Sequence, residues 1–250
     1  MDNTEIVPDD VDVFAGGFWT LKGGTHILFW QKQLQRLDHD LFLPPYCAKF
    51  IPTGGCAVDA GALNGDHTIA YSRKAGQGGL IFAFEPGTQA FKCLEHNIKL
   101  FEHANVIASP FALGEKDGTC GYKSIPGVDF GSAYCCGEEG DIKVVTLDSI
   151  IKPGFTPRKV DFMKLDVEGC EAKALRGATQ ILTEDRPIMV IEINRYCEQQ
   201  HNGGSYDEIK SLLSQFGYLH RQVDGQNIDS MLWDAVCWPS EMGPNPVPQL

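Results

Sequence analysis

The stretch from Cys56 to Ala70 combines a buried-strand pattern, two glycines and several polar side chains that could hold a ligand. It reads CAVDAGALNGDHTIA, with a turn at Gly61, a second glycine at Gly65 and a helical pattern from Asp66. Glycine allows close backbone approach, and the free N–H groups of a helix N-terminus favour anionic or polar ligands. The Asp59 carboxylate is placed to accept from an ammonium or a hydroxyl. Because the spacing D-x-G-x-x-x-G differs from the dinucleotide fingerprint G-x-G-x-x-G, the turn alone indicates the ligand weakly.

A second candidate residue, Glu85, directly follows the apolar run Leu80–Phe84. A continuous apolar run of this length is typical of a buried parallel strand. In a βαβ nucleotide site, an acidic residue at the tip of the second strand binds the ribose hydroxyls. Glu85 is therefore predicted to bind a ribose, with Pro86 restricting the chain after it. The alternative is an ordinary βαβ unit whose second strand ends in glutamate.

A third cluster, at 166–171, places three carboxylates after the predicted strand Val160–Leu165. In an open α/β sheet, this end of a strand is where ligands bind. Glu171 is explained equally well by the favourable interaction of an acidic residue with the dipole of the following helix. Asp166 and Glu168 require a cation or a hydrogen-bond donor nearby, because like charges so close together are costly.

Strands and helices alternate along the chain around these clusters. Alternation predicts a parallel sheet with helices on both faces, and a final strand–turn–strand predicts an antiparallel hairpin at its end. The further predicted elements are helices over Asp66–Ala75, from Thr88 as N-cap and behind Ser205, and strands over Val106–Leu113, Pro187–Ile193 (which contains Glu192), from Tyr218 and over Ser230–Trp238.

Three segments lie outside this alternation. Residues 1–25, rich in Asp, Gly and Pro, are predicted to be a mobile lead-in, and His26–Leu43 has the apolar spacing of an amphipathic helix. An excursion at 119–145 is broken by Gly and Pro and is predicted to form loops and short strands that choose the substrate. The predicted division is 1–52 for the lead-in and helix, 53–238 for the ligand-binding domain and 239–250 for a flexible tail.

Composition narrows the class of protein. The chain has 250 residues and a net charge of −12, which predicts one sizeable α/β domain and argues against nucleic acid as a partner. No apolar run approaches membrane length, and the acidic first residues are unlike a signal peptide. The nine cysteines lack C-x-x-C metal spacing. They indicate reduced thiols and a cytoplasmic location.

Six segments carry a family pattern: VDAGALNGDHT at 58–68, FEP at 84–86, ALGEKDG at 112–118, TLDSI at 146–150, DFMKLDVEGCEAKALRGA at 161–178 and PIMVIEI at 187–193. Together they resemble the FkbM family of S-adenosylmethionine-dependent methyltransferases, over about Thr53 to Tyr218. The resemblance implies an α/β class I methyltransferase (Rossmann-like) fold. This is a doubly wound, mainly parallel sheet with a C-terminal antiparallel hairpin strand, here preceded by the N-terminal helix.

The resemblance also implies S-adenosylmethionine as the cofactor and a small-molecule hydroxyl as the acceptor, because family members methylate sugars, polyketides and similar natural products. The residues it places around the cofactor are Asp59, Gly61, Ala62, Asn64, Gly65 and Asp66 at the methionine and ribose end, Glu85 and Pro86 at the ribose hydroxyls, Ala112 and Leu113 near the adenine, and Asp166.

Methylation of an alcohol requires removal of a proton, which calls for a base or a metal ion. Asp166 and Glu168 are candidates to contact the acceptor, or to hold a divalent cation with Glu192. The alternative bases are His67 and His201, and Lys164 is a candidate to keep the carboxylates charged. Two other functions stay open: a nicotinamide-dependent oxidoreductase, which the absent G-x-G-x-x-G disfavours, and a catalytically silent protein that binds S-adenosylmethionine.

Overall fold

The structure is a computed structural model, and it describes residues 7–9, 11–13, 17–22, 46–102, 105–124, 133–136, 139–152, 158–195, 197, 205–223, 231–244 and 246. The predicted amphipathic helix His26–Leu43 and the candidate base His201 lie outside the described residues. None of the described helices combines the length and apolar character needed to cross a membrane.

The described strands and helices follow the alternation that the sequence predicts. The strands are β1 Val11–Val13, β2 Trp19–Leu21, β3 Cys56–Ala60, β4 Leu80–Phe84, β5 Val106–Ser109, β6 Ala112–Leu113, β7 Gly118–Ser124, β8 Ala133–Cys136, β9 Ile142–Val145, β10 Phe162–Leu165, β11 Ile188–Asn194, β12 Tyr218–Gln222 and β13 Leu232–Pro239. The α-helices are α1 Asp66–Ala75, α2 Thr88–Leu100, α3 Leu147–Ile151, α4 Glu171–Arg176 and α5 Tyr206–Gln215, and short 3₁₀ or π turns cover Tyr46–Phe50, Ile181–Asp185 and Ser240–Met242.

The central sheet has seven strands in the order β12-β13-β11-β10-β3-β4-β5. Strands β3, β4, β5, β10 and β11 are parallel, and β13 runs antiparallel between β11 and β12. This confirms the predicted mainly parallel sheet with an antiparallel strand from the C-terminal hairpin. It differs from the dinucleotide-binding fold, whose sixth strand is parallel.

Helices cover both faces of this sheet. Successive strand residues point to opposite faces, so Val58 packs in one core with α4 and α5, whereas Ala57 packs in a second core with Tyr71 of α1. Leu94 of α2 lies against Ala83 on the same face as α1. The doubly wound architecture therefore follows from apolar side chains on both sides of each central strand.

The predicted third strand, Val106–Leu113, is divided in the structure. Strand β5 ends at Ser109, and β6 joins a separate four-stranded sheet in the order β6-β9-β7-β8. Pro110 lies at the break, where its missing N–H could not continue a ladder of hydrogen bonds. The excursion at 119–145 thus contributes to a second, smaller sheet.

The prediction of a mobile lead-in is wrong for the described part of residues 1–25. Strands β1 and β2 pair in an antiparallel hairpin. Trp19 is buried and stacks on His96 with ring centroids 3.8 Å apart. The Asn97 side chain accepts from the Trp19 N–H and donates to its carbonyl, each at 2.8 Å. An amide that satisfies both backbone groups holds the hairpin on α2.

The start of α2 and the segment after Trp238 also differ from the sequence-based prediction. Gly87, and not Thr88, is the N-cap of α2. The first residues after Trp238 are ordered: Glu241 accepts from Arg186 at 2.8 and 2.6 Å, and the Trp238 indole donates to the Gly243 carbonyl at 2.9 Å. By contrast, the predicted start of a helix behind Ser205 is confirmed: Ser205 is the N-cap of α5, and its hydroxyl accepts from the Glu208 N–H.

Candidate functional site

The candidate residues lie in a row along one edge of the central sheet. The register pairs Ala60 of β3 with Phe84 of β4 and Leu165 of β10, and it pairs Leu165 with Ile191 of β11. The residues that follow these four in the sequence are Gly61, Glu85, Asp166 and Glu192. Because this edge is formed by the carboxyl ends of parallel strands, it is where the fold is expected to bind a ligand.

Glu85 is held rigidly by backbone groups. Its Oε2 accepts from the Leu63 N–H at 2.9 Å, and its Oε1 accepts from the Gly87 N–H at 2.7 Å. Burial raises the pKa of Glu85 to about 7, although the two N–H groups act in the opposite direction. A carboxylate has about four acceptor sites, so two remain for the hydroxyls of a ligand.

The loop after β3 is shaped by Gly61, whose φ is +82°. A Cβ at this position would collide with the backbone carbonyl of Asp166. At Gly65, with φ +87°, a Cβ would lie 2.6 Å from Leu94 Cδ1. The sequence suggested that these glycines leave room for a ligand; in the structure they leave room for the neighbouring strand and for α2.

Asn64 shapes the same loop from inside. Asn64 is 1% exposed. Its side-chain amide donates to Thr20 Oγ1 at 3.2 Å, and its backbone carbonyl accepts from the Asn97 side-chain amide at 2.8 Å. The carboxylate of Asp66 accepts from the N–H of His67 at 2.7 Å. The predicted cofactor loop is therefore tied to both the N-terminal hairpin and α2.

Asp59 lies beneath this loop with its side chain 1% exposed. Its Oδ2 accepts from the Thr68 hydroxyl at 2.5 Å. Burial raises the pKa of Asp59, whereas the nearby His67 and the Thr68 hydrogen bond lower it. The sequence predicts an ammonium or a hydroxyl partner for Asp59, and the structure supplies a hydroxyl from α1. His67 packs against Tyr71 with ring centroids 5.9 Å apart.

Asp166 and Glu192 form a hydrogen-bonded carboxyl pair. Burial alone would raise the pKa of Asp166, but the Lys164 ammonium and the hydrogen bond with Glu192 outweigh it, so the pKa is lowered. Burial and the charge of Asp166 raise the pKa of Glu192 well above its ordinary range. Lys164 Nζ lies 3.1 Å from Asp166 Oδ2 and 3.6 Å from Asp234 Oδ1. The opposite directions of the two pKa shifts favour a shared proton that resides on Glu192 and is donated to Asp166.

Glu168 completes the acidic cluster. Its Oε2 accepts from the Asn194 amide at 2.9 Å and from the Cys197 thiol at 3.2 Å. Its φ of 51° is uncommon for a residue with a side chain, and such conformations are concentrated at functional sites. One carboxylate oxygen each from Asp166, Glu168 and Glu192 lie within 4.8 Å of one another. The structure therefore brings together all three predicted acidic residues.

Glu171 has a local structural role. Its Oε1 accepts from the N–H groups of Val167 and Gly169 at 3.0 and 3.2 Å, which fixes the turn before α4. Burial raises the pKa of Glu171 to about 7, although these hydrogen bonds partly oppose that effect.

Glu171→Gln is expected to change how stability depends on pH. A carboxyl group with a pKa near 7 in the folded state and 4.5 as its ordinary value loses stability as the pH rises between those values, because the folded state binds the proton more tightly. Relative to the wild type, the variant should gain about 3 kcal/mol of unfolding free energy between pH 4.5 and 8. Urea unfolding of both proteins across this range measures the difference. A difference that stays constant with pH would contradict the burial argument.

The remaining predicted residues lie around this row. Ala62 is buried, and its N–H donates to the Phe84 carbonyl at 3.0 Å. Pro86 is half-buried beside Glu85. Ala112 and Leu113 form β6 of the second sheet, and both are buried. Their predicted contact with adenine stays a prediction.

The sequence-based reasoning did not identify several residues that hold the site together. Thr68 lies in the quoted DHT segment, and Gly87 follows the FEP segment, so both had a local signal. The others had none, because their partners are distant in sequence: Asn97, Cys197 and Asp234.

The chain is similar in sequence to known methyltransferases. The methyltransferase FkbM domain model matches residues 59–219. The chain is 28% identical over 159 residues to the hexuronic acid methyltransferase AglP of Haloferax volcanii. The aligned residues cover 63% of this chain and 60% of that relative. The chain is 26% identical over 191 residues to methyltransferase 1 of Beauveria bassiana, covering 67% and 73% of the two chains.

The fold is likewise that of a solved methyltransferase. The crystal structure of methyltransferase FkbM from Methylobacillus flagellatus superposes with a TM-score of 0.51 at 17% identity, over 85% of this chain and 58% of that chain. Since the family model covers more than half of the sequence, the chain belongs to the FkbM methyltransferase domain family and has the class I methyltransferase fold.

Proposed function

We propose that the protein uses S-adenosylmethionine to methylate a hydroxyl group of a sugar, a polyketide or a similar small molecule. The observation that carries this proposal is the row of Glu85, Gly61, Asp166 and Glu192 across four adjacent strands. Glu85, proposed to bind the nucleoside, and the Asp166–Glu192 pair, proposed to accept a proton, thereby lie at the same edge of one sheet.

Glu85 is suited to bind the ribose of the cofactor. When bound, S-adenosylmethionine supplies a methyl group on a sulfonium, which carries its own leaving group. The protein's main task is then to align the acceptor with that methyl group. Glu85 can hold the cofactor in place for this alignment, because backbone N–H groups fix its two oxygens before the ligand binds. The entropic cost of ordering is small for such a preorganised site.

The Asp166–Glu192 pair is suited to orient a hydroxyl and to accept its proton. The ionised Asp166 carboxylate is an acceptor for a substrate O–H, and Lys164 and Glu192 stabilise its charge. A neutral hydroxyl fits this cluster better than an anionic group, because a carboxylate acceptor would face Asp166 and Glu168 at close range. The similarity to a hexuronic acid methyltransferase supports a sugar acceptor.

A divalent cation is the second assignment for the cluster. Three carboxylate oxygens within 4.8 Å of one another are a ligand set that Mg²⁺ or Ca²⁺ accepts. The Lys164 ammonium, 3.1 Å from Asp166, already supplies positive charge there, which favours proton transfer over metal binding at Asp166. Methyl transfer measured with EDTA and with added Mg²⁺ separates the two assignments.

The expected partner is a small molecule, and the expected location is the cytoplasm. The net charge of −12 disfavours nucleic acid. Seven cysteines of the described residues are buried free thiols, which is consistent with a reducing compartment.

Glu85→Gln is expected to weaken the binding of S-adenosylhomocysteine and to remove its pH dependence. In the wild type, affinity should be about tenfold lower at pH 6 than at pH 8, because protonation of a group with a pKa near 7 removes the acceptor that the ribose needs. The glutamine variant should bind at least tenfold more weakly at pH 8 and vary little with pH. Calorimetric titration measures both, with Glu95→Gln on the exposed face of α2 as the control.

The same titrations decide between the proposed functions. A wild-type protein that does not bind S-adenosylhomocysteine is not a methyltransferase of this kind, and uptake of NADH in a parallel titration would support the oxidoreductase. Binding without methyl transfer to any member of a panel of sugars and polyketide alcohols would support the catalytically silent protein.

A further inference from the structure

Tyr122 of β7 lies directly beside the predicted ribose-binding residue. A Cβ built on Gly87 would lie 2.6 Å from the Tyr122 hydroxyl oxygen and 2.8 Å from Glu85 Oε1. The phenol and the carboxylate therefore flank the same point at the end of β4. Gly87 has no side chain to separate them, and its own N–H donates to Glu85.

The second sheet brings Tyr122 to this position. The Glu85 N–H donates to the carbonyl of Ser109, the last residue of β5, at 3.1 Å. The chain then enters β6, which pairs with β9, and β9 pairs in turn with β7. The backbone of Tyr122 is paired with Cys135 of β8. The second sheet, which follows β5 after the break at Pro110, thus places the phenol at the edge of the central sheet.

We propose that Tyr122 binds the ribose of the cofactor together with Glu85, so that the second sheet forms one wall of the nucleoside site. A phenolic hydroxyl both donates and accepts hydrogen bonds. A ribose presents two neighbouring hydroxyls, and Glu85, which only accepts when ionised, leaves their oxygens without a donor. Tyr122 supplies that donor. This inference rests on the proposed use of S-adenosylmethionine.

The consequence is a different role for part of the 119–145 excursion. The sequence-based expectation assigns this segment to the choice of acceptor. Tyr122 lies at the cofactor instead, so substitutions at its position should change the affinity for adenosine-containing ligands and not the preference among acceptors.

Tyr122→Phe is the deciding variant, because it removes the hydroxyl and keeps the ring. Calorimetric titrations use S-adenosylhomocysteine and 5′-methylthioadenosine, which share the adenosine but differ in the amino acid. We expect the affinity for both ligands to fall by a similar factor, roughly 3- to 10-fold for the loss of one hydrogen bond. Tyr206→Phe is the matched control, since that hydroxyl contacts His220 at 3.2 Å, on α5 and β12, and its loss should leave both affinities unchanged.

Gly87→Ala tests the proposal by changing the residue that lies between the Tyr122 hydroxyl and the Glu85 carboxylate. Its φ of −69° is permitted for alanine, so the main change is a methyl group placed between the Tyr122 hydroxyl and Glu85. We expect weaker binding of both ligands, and a smaller effect of the methyl group when Tyr122 is also replaced by alanine, because one of the two neighbours is then absent.

The outcomes separate this inference from the proposed function. A wild-type protein that binds neither ligand overturns both. A wild type that binds, with a folded Tyr122→Phe variant of equal affinity for both ligands, overturns the role of Tyr122 and leaves the methyltransferase proposal standing. A loss confined to S-adenosylhomocysteine also overturns it, because it would place the phenol at the amino acid and not at the ribose.

Discussion

Gly61→Ala is expected to cost about 4 kcal/mol of unfolding free energy, at the upper end of what single substitutions do. The added Cβ would meet the carbonyl group of Asp166, which belongs to the backbone and cannot turn aside as a flexible side chain would. The ends of β3 and β10 would have to separate, and that separation would break the hydrogen bond from the Asp166 N–H to the Ala60 carbonyl at 3.0 Å. The row of site residues would be disrupted with it.

Gly54→Ala is the matched control for this effect. Gly54 has a φ of +77°, close to that of Gly61, but a Cβ there would have no atom within 4 Å. Its substitution should therefore cost only the penalty of the left-handed conformation, about 1–2 kcal/mol. Urea unfolding followed by circular dichroism compares the two variants. Equal destabilisation would show that the backbone conformation, and not the close approach of β10, is the reason for glycine at position 61.

The central fold was predictable because its signals are local and strong. The apolar run Leu80–Phe84 forms a strand with the predicted bounds, and the pattern Asp66–Ala75 forms the predicted helix. Burial on both faces leaves a continuous apolar run, and a helix with one buried face leaves a periodic one. Each pattern can be recognised without knowing what the element packs against.

The N-terminal hairpin and the second sheet were harder to predict, because their stability depends on distant partners. Trp19 is held by Asn97, which is 78 positions away, and a segment rich in Asp, Gly and Pro gives no local sign of that contact. The sequence-based prediction continued the third strand through Pro110, and the pairing of β6 with β9 requires the intervening strand β7 to be placed first.

The positions of the candidate site residues were predictable from the sequence, and the hydrogen bonds between them were less so. Glu85 and Asp166 follow apolar strands, so parallel pairing places both at one edge of the sheet. The hydrogen bond between Asp166 and Glu192 joins two strands whose register the sequence does not reveal. The donors to Glu85 come from Leu63 and Gly87, whose side chains gave no reason to select them.

Asp166→Asn is expected to lower the rate of methyl transfer by about 10²–10⁴, the range for loss of a general base. Asparagine keeps the shape and can still accept from Lys164, but it cannot take a proton from the acceptor hydroxyl. Affinity for S-adenosylhomocysteine should change by less than about tenfold, because the buried Glu85 carries the ribose interaction in this assignment. Single-turnover transfer of a labelled methyl group to a hydroxyl acceptor from the sugar panel gives the rate.

Two further variants show whether a loss of rate in Asp166→Asn is specific to the carboxylate: Glu192→Gln changes its partner, and Asp207→Asn is an exposed control. The glutamine amide still donates to Asp166, so this variant should lose less activity than Asp166→Asn. Asp207 is exposed on α5 and pairs with Lys210, so its substitution should leave the rate unchanged. If Asp166→Asn retains the wild-type rate, the proton goes elsewhere, and His67, which lies near enough to affect the pKa of Asp166, becomes the base to test. If rate and cofactor affinity fall together by the same factor, Asp166 acts by binding the cofactor and not by accepting the proton.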